Sequence, residues 1–197
     1  MTSPRRKEQR GPPDPQRRFE EIYTAHYPGL LAYVRRRTAS PDDAADALAE
    51  TFTTAWRRLD DVPEGHAARL WLYGTARRVL ANGRRAADRR TELAVRLRAE
   101  LAVWAEHTGD AGPAGHDPGG VREAFRRLSA DDRELLALVS WEGLDAGEIA
   151  TVLGCSRGAV RLRLHRARKR LARELDSAGL DPARYGSRAA ALAKGEV

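Results

Sequence analysis

Cysteine, lysine and aromatic residues are all scarce in this chain, and each shortage excludes something. The single cysteine, Cys155, rules out a disulfide scaffold and a cysteine-rich zinc fold. Aromatic residues make up 6% of the 197, and valine and isoleucine are sparse beside alanine, leucine and arginine. That leaves little material for a sheet and nearly excludes an all-β barrel. No apolar run approaches the roughly 18 residues of a membrane span, and Met1 to Arg10 is hydrophilic and basic, unlike a secretory signal. A cytoplasmic protein without membrane insertion is expected. The histidines His26, His66, His107, His116 and His165 lack ligand spacing, and no nucleophile elbow, phosphate loop or HExxH motif occurs. No metal, no cofactor and no catalytic residues are expected, so the chain does not read as an enzyme.

Only Lys7, Lys169 and Lys194 among the 35 basic residues are lysine. A GC-rich genome would also enrich arginine and alanine, so the net charge of +7 is by itself a weak argument for a nucleic-acid partner. Its distribution says more. Residues 65–98 carry +7 and residues 155–175 carry +7, whereas 19–64 and 99–120 carry −4 each and 121–154 carry −3. Codon bias would spread arginine evenly, and two clusters about ninety residues apart look like two polyanion-binding surfaces.

The pattern predicts an all-α fold: two small helical domains joined by a flexible linker, the second containing a helix-turn-helix. Residues 1–16, with four prolines and no apolar periodicity, read as a disordered basic arm. The first domain spans 17–90. Its first helix begins at Arg17 with Phe19, Ile22, Tyr23, Tyr27, Leu30, Leu31 and Val34 on one stripe, kinked or split at Pro28. Ser40-Pro41-Asp42-Asp43 starts a second helix burying Ala45, Leu48, Phe52, Ala55 or Trp56, and Leu59. A third runs from about Ala67 to Arg85 with Leu70, Trp71, Ala76, Val79 and Leu80 as its apolar positions. Residues 91–120 form the linker: 91–107 can be helical, but 109–120 holds five glycines and two prolines. The second domain spans 121–177 and leaves a tail, 178–197.

In that domain Val121, Phe125 and Leu128 end one helix and Ser129-Ala130-Asp131-Asp132 starts the next, with Leu135, Leu136, Leu138 and Val139 inside, until Gly143 closes it. A short helix from Glu148 to Leu153, a left-handed turn at Gly154 and a long helix from Arg157 to Leu175 then have the spacing of a helix-turn-helix. Val160, Leu164, Ala167 and Leu171 form the apolar stripe of the last helix, and Cys155 is expected to be a buried hydrophobe in the turn. Eight basic residues between Arg157 and Arg173, with no acid before Glu174, can grip phosphates or pair with guanine in a major groove.

Three motifs in order carry a resemblance. Asp43-Ala44-Ala45-Asp46-Ala47-Leu48-Ala49-Glu50-Thr51-Phe52-Thr53-Thr54-Ala55-Trp56 resembles the pattern DAEDLxQExFLxAW, Trp71-Leu72-Tyr73-Gly74-Thr75-Ala76-Arg77-Arg78-Val79-Leu80-Ala81-Asn82 resembles WLYxIARN, and Val160-Arg161-Leu162-Arg163-Leu164-His165-Arg166-Ala167-Arg168 resembles VxSRLxRAR. These are motifs of bacterial RNA polymerase sigma factors of the sigma-70 family, in its two-domain extracytoplasmic-function group. The resemblance implies a promoter-specificity subunit that binds core RNA polymerase through the β′ clamp helices and the β flap, recognises the −35 and −10 elements and promotes strand opening. It also implies restraint by an anti-sigma factor. Carried over residue by residue, Asp42, Asp46, Glu50, Thr53 and Arg57 would bind polymerase. Asp61, His66, Arg69, Trp71, Tyr73, Arg77, Arg78, Arg84 and Arg85 would hold the −10 region, where the Asp60 to His66 loop captures a flipped base. Ser156, Arg157, Arg161, Leu162, His165, Arg166 and Lys169 would face the −35 region. Leu162 departs from the pattern, which has a small polar residue there; it can touch a thymine methyl but donates no hydrogen bond. On the residues alone, a stand-alone helix-turn-helix repressor or activator remains an alternative, as does an RNA-binding or scaffolding helical protein.

Overall fold

Side-chain caps decide where the helices begin. The structure, a computed structural model, describes residues 14–101 and 121–179, so the expectations for most of the arm, for 102–120 and for the tail from 180 lie outside the described residues. Among the described residues there are seven α-helices, one 3-10 turn and no strand. The chain divides into two units at Ala87/Asp88.

In the first unit, α1 spans Pro15–Arg35. It starts two residues before the expected Arg17, because the Asp14 carboxylate accepts the Gln16 N–H at 3.1 Å and Pro15 suits the first helical position. Pro28 does not split it. One missing backbone donor is offset by the burial of Leu30, Tyr33 and Val34 in the next two turns. The α2 helix, Pro41–Arg57, is capped by Ser40, whose Oγ accepts the Asp43 N–H at 3.0 Å. It buries Ala44, Ala47, Leu48, Thr51, Phe52 and Ala55. Ala45, expected inside, is exposed; Ala55 is fully buried and Trp56 is 48% exposed. The buried stripe is centred on small residues that let α2 approach α1 closely, and an indole has no room there.

A 3-10 turn at Leu59–Asp61 leads to α3, His66–Leu101. The sequence suggested two helices, ending at Arg85 and restarting at 91. They are one, since Ala86-Ala87-Asp88-Arg89-Arg90 contains no glycine or proline to break the run. Ala68, Leu70, Leu72, Tyr73, Ala76, Val79 and Leu80 are buried, and Tyr73 stacks on Tyr33 with centroids 4.8 Å apart and planes 18° apart. Each fully buried leucine here, such as Leu30 or Leu72, contributes about 1.5–3 kcal/mol.

The second unit holds α4 (Val121–Arg127), α5 (Ala130–Ser140), α6 (Ala146–Leu153) and α7 (Arg157–Ser177). Ser129 caps α5 and Ser156 caps α7. Asp145 caps α6 in a complete capping box with Glu148, so α6 begins two residues before the expected Glu148. Gly154 has φ +65°, the left-handed turn expected of it. Ala124, Leu128, Leu136, Ala167, Leu171 and Leu175 form a core cluster, with Val160 and Leu164 continuing the α7 stripe. Asp132, 5% exposed, receives the Arg170 guanidinium at 2.7 Å on both oxygens, joining α5 to α7. Cys155 is half-buried instead of buried, because it lies in the surface turn just after Gly154.

Candidate nucleic-acid and protein interfaces

At about 100° per residue, Asp42, Asp46, Glu50, Thr53 and Arg57 fall within roughly 80° of arc on α2, opposite the buried stripe. All five are exposed. Three carboxylates along one line with no buried neighbour between them make a negative face suited to a basic helical partner. Beside it stands an aromatic cluster whose exposure sequence reasoning missed. Trp56 meets Phe19 edge-on at 5.2 Å, and Tyr23, 40% exposed, lies 4.6 Å from Phe52. The signal was available: Phe19, Tyr23, Phe52 and Trp56 are two pairs at four-residue spacing on two helices, more ring surface than one small interface buries.

On α3 the expected residues separate into two groups. Trp71, Arg78 and Arg85 recur every seven residues and share one line, with Trp71 half-buried and both arginines exposed. Their hydrogen bonds are local: Arg78 donates to Thr75 Oγ1 at 3.1 Å and Arg85 to Asn82 Oδ1 at 2.6 Å. Arg84, exposed, and Arg77, half-buried, lie along one side of this line. Arg69 and Tyr73 turn toward α1 instead. Tyr73 is 3% exposed and accepts a hydrogen bond from Arg69 Nε at 3.2 Å, so it presents no ring face for a base to stack on. The stack on Tyr33 takes that face, and this corrects the expectation for Tyr73. His66 stands exposed at the start of α3.

The loop before α3 has a clamp that the sequence reading did not single out. Arg58 pairs with Asp61 at 2.7 Å, and its guanidinium lies 6.0 Å from the Trp71 ring centroid, tying the loop to the exposed line of α3. Across the α1–α3 contact, Ala25, His26, Gly29, Leu30, Arg69, Leu72 and Tyr73 line a cavity of about 150 Å³. Burial, then the charge of Arg69 and then His66, holds the His26 pKa below the ordinary 6.5.

In the second unit Ser156, Arg157, Arg161, Leu162, His165, Arg166 and Lys169 are all exposed, with Ser156 spending its hydroxyl as the cap of α7. Among the described residues no hydrogen-bonding or ionic partner engages Arg157, Arg161, Arg166 or Lys169. The helix that follows the turn therefore offers unneutralised cations along its outer side, as a helix lying in a major groove requires. Among the described residues no helix is long and apolar enough to cross a membrane.

Two family models match the chain: Sigma-70 region 2 over residues 22–90 and Sigma-70, region 4 over residues 120–171. The chain is 29% identical over 160 residues to the ECF RNA polymerase sigma factor SigL of Mycobacterium tuberculosis, covering 81% of this chain and 89% of that one. It is 30% identical over 166 residues to the RNA polymerase sigma-E factor of Streptomyces avermitilis, covering 83% and 88%. The sigma factor RpoE of Bartonella quintana, solved with the anti-sigma factor NepR, superimposes with a TM-score of 0.55 at 25% identity, covering 80% of this chain and 96% of that one. With both candidate surfaces inside the matched segments, the chain belongs to the sigma-70 family of RNA polymerase sigma factors, in the extracytoplasmic-function group, and is a promoter-specificity subunit of that enzyme.

Proposed function

We propose that the two units divide initiation between them. The α2 face of Asp42, Asp46, Glu50, Thr53 and Arg57 docks on the β′ clamp helices, and the second unit meets the β flap while α7 reads the −35 duplex with Arg157, Arg161, Leu162, His165, Arg166 and Lys169. The exposed line of α3 receives the −10 region: Arg78 and Arg85 hold phosphates of one strand, with Arg77 and Arg84 along one side, and the open side of Trp71 stacks on an unpaired base. Asp61 and His66, in the loop held by Arg58, border the place of a flipped base. The chain carries out no catalysis of its own; it stabilises the open strand, and the polymerase supplies the chemistry. It works in the cytoplasm. An anti-sigma factor restrains it by covering one of these faces; the solved relative is in complex with one.

The observation that carries this proposal is the pairing, in one chain, of an acidic helix face in one unit with a helix-turn-helix bearing unneutralised cations in the other. A run-off transcription assay with core RNA polymerase tests it. Transcripts from a defined set of promoters are expected only when the chain is added. No transcript from any promoter of the source genome would overturn it, and tight dimeric binding to a palindrome without polymerase would favour a stand-alone repressor.

A further inference from the structure

Four large hydrophobic side chains are exposed among the described residues, and three of them are aromatic rings in contact with other rings: Tyr23, Trp56 and Trp141. The fourth is Leu162, 51% exposed in the middle of a basic helix. At about 100° per residue it points directly away from the buried line of Val160, Leu164, Ala167 and Leu171. One turn before it on the same side is Gly158, where an added Cβ would meet nothing within 4 Å. The outer side of the first two turns of α7 is thus a leucine beside an open notch, flanked by Arg161 and Arg166.

An exposed leucine gains nothing from phosphates, yet the cations around it bring a polyanion against it. In a major groove the apolar group within its reach is the C5 methyl of thymine. Gly158 removes the side chain that would otherwise hold the helix off the groove floor, as glycine does wherever a backbone must come close to a ligand. We propose that Leu162 and the notch at Gly158 form a thymine-methyl reader, so the upstream promoter element carries a thymine opposite the first two turns of α7. This rests on the proposed role of α7 in −35 recognition.

The full chain, assembled with core RNA polymerase, is used to select duplexes from a pool randomised upstream of a fixed −10 region, and each thymine of the selected upstream element is then replaced by deoxyuridine. Base pairing is kept and only a methyl group is lost. At one thymine, binding should weaken about fourfold, the worth of one buried methyl. With Leu162→Ala, whose helix and melting temperature should match the parent because Leu162 supports no core contact, the two duplexes should bind equally. Silent deoxyuridine substitution at every thymine, or the same penalty with Leu162→Ala, would overturn the proposal while leaving α7 as a promoter reader. Failure to enrich any upstream sequence would overturn both.

Discussion

The two arginine-rich helices carry the same charge and use it differently. On α3, Arg69, Arg78 and Arg85 each donate to a side-chain oxygen on their own helix, and Arg58 is paired before the helix begins. On α7, Arg157, Arg161 and Arg166 are exposed without such partners. A side chain already held loses less freedom on meeting a ligand, which suits a surface that must hold one strand in a fixed path. Free cations suit a duplex, where they displace condensed counterions and where sequence is chosen at a few base edges. Equal charge counts therefore conceal a positioned surface and a gripping one.

Four perturbations test the two surfaces and the units that carry them. The largest effect is expected from Asp46→Arg with Glu50→Arg: association with core polymerase, followed by size-exclusion chromatography, should be abolished while the circular dichroism of the chain is unchanged. Unaltered co-elution would remove the acidic face from the account. Next, Arg170→Met leaves the buried Asp132 carboxylate without its cation, held only by the Ser129 hydroxyl at 2.8 Å. Thermal unfolding of the second unit should fall by about 1.5–3 kcal/mol, toward the lower end because Arg170 is half exposed, with the first unit unaffected. Arg161→Ala should relax base choice at the upstream element by about 1–3 kcal/mol, read by competition between duplexes, if it pairs bidentately with a base; a uniform loss on all duplexes would make it a phosphate contact.

The smallest effect concerns pH. His26 has its folded pKa lowered, so the stability it helps maintain is complete above its unfolded value of 6.5 and is lost as pH falls below that toward the folded value. Melting of the first unit should decline from pH 7 toward pH 5, and His26→Gln should flatten the decline. An identical profile in the variant would place the sensitivity elsewhere.

Caps and periodic stripes were legible in the sequence because both are local: Ser40, Ser129 and Gly154 act where their spacing put them. What escaped were choices made between helices. Whether Ala45 or Ala44 faces inward depends on where α1 lies, and nothing within α2 says so. Tyr73 was expected to meet the −10 region on the strength of the motif, and only the stack with Tyr33, forty residues away, takes its face. The join between the third helix and its continuation has a different origin: residues 86–90 contain no breaker, so the helix runs on into the segment expected to be a linker. The candidate interface residues follow from the motifs. Their exposure follows from periodicity on α2 and α7, where one side is plainly apolar, and fails on α3, where buried positions wrap more than half of the helix.

The ends of α6 are fixed by chemistry contained within it, a capping box at Asp145 and Glu148 and a left-handed glycine at 154. The core of α7 is confined to Val160, Leu164, Ala167, Leu171 and Leu175. Gly158, Leu162, His165, Arg166 and Lys169 thus owe the fold almost nothing, and replacing any of them should leave stability within about 0.5 kcal/mol. With the proposed role of α7 in reading the upstream element, a lineage carrying this scaffold would exchange its set of controlled genes one outward residue at a time, and each intermediate along that route would still fold.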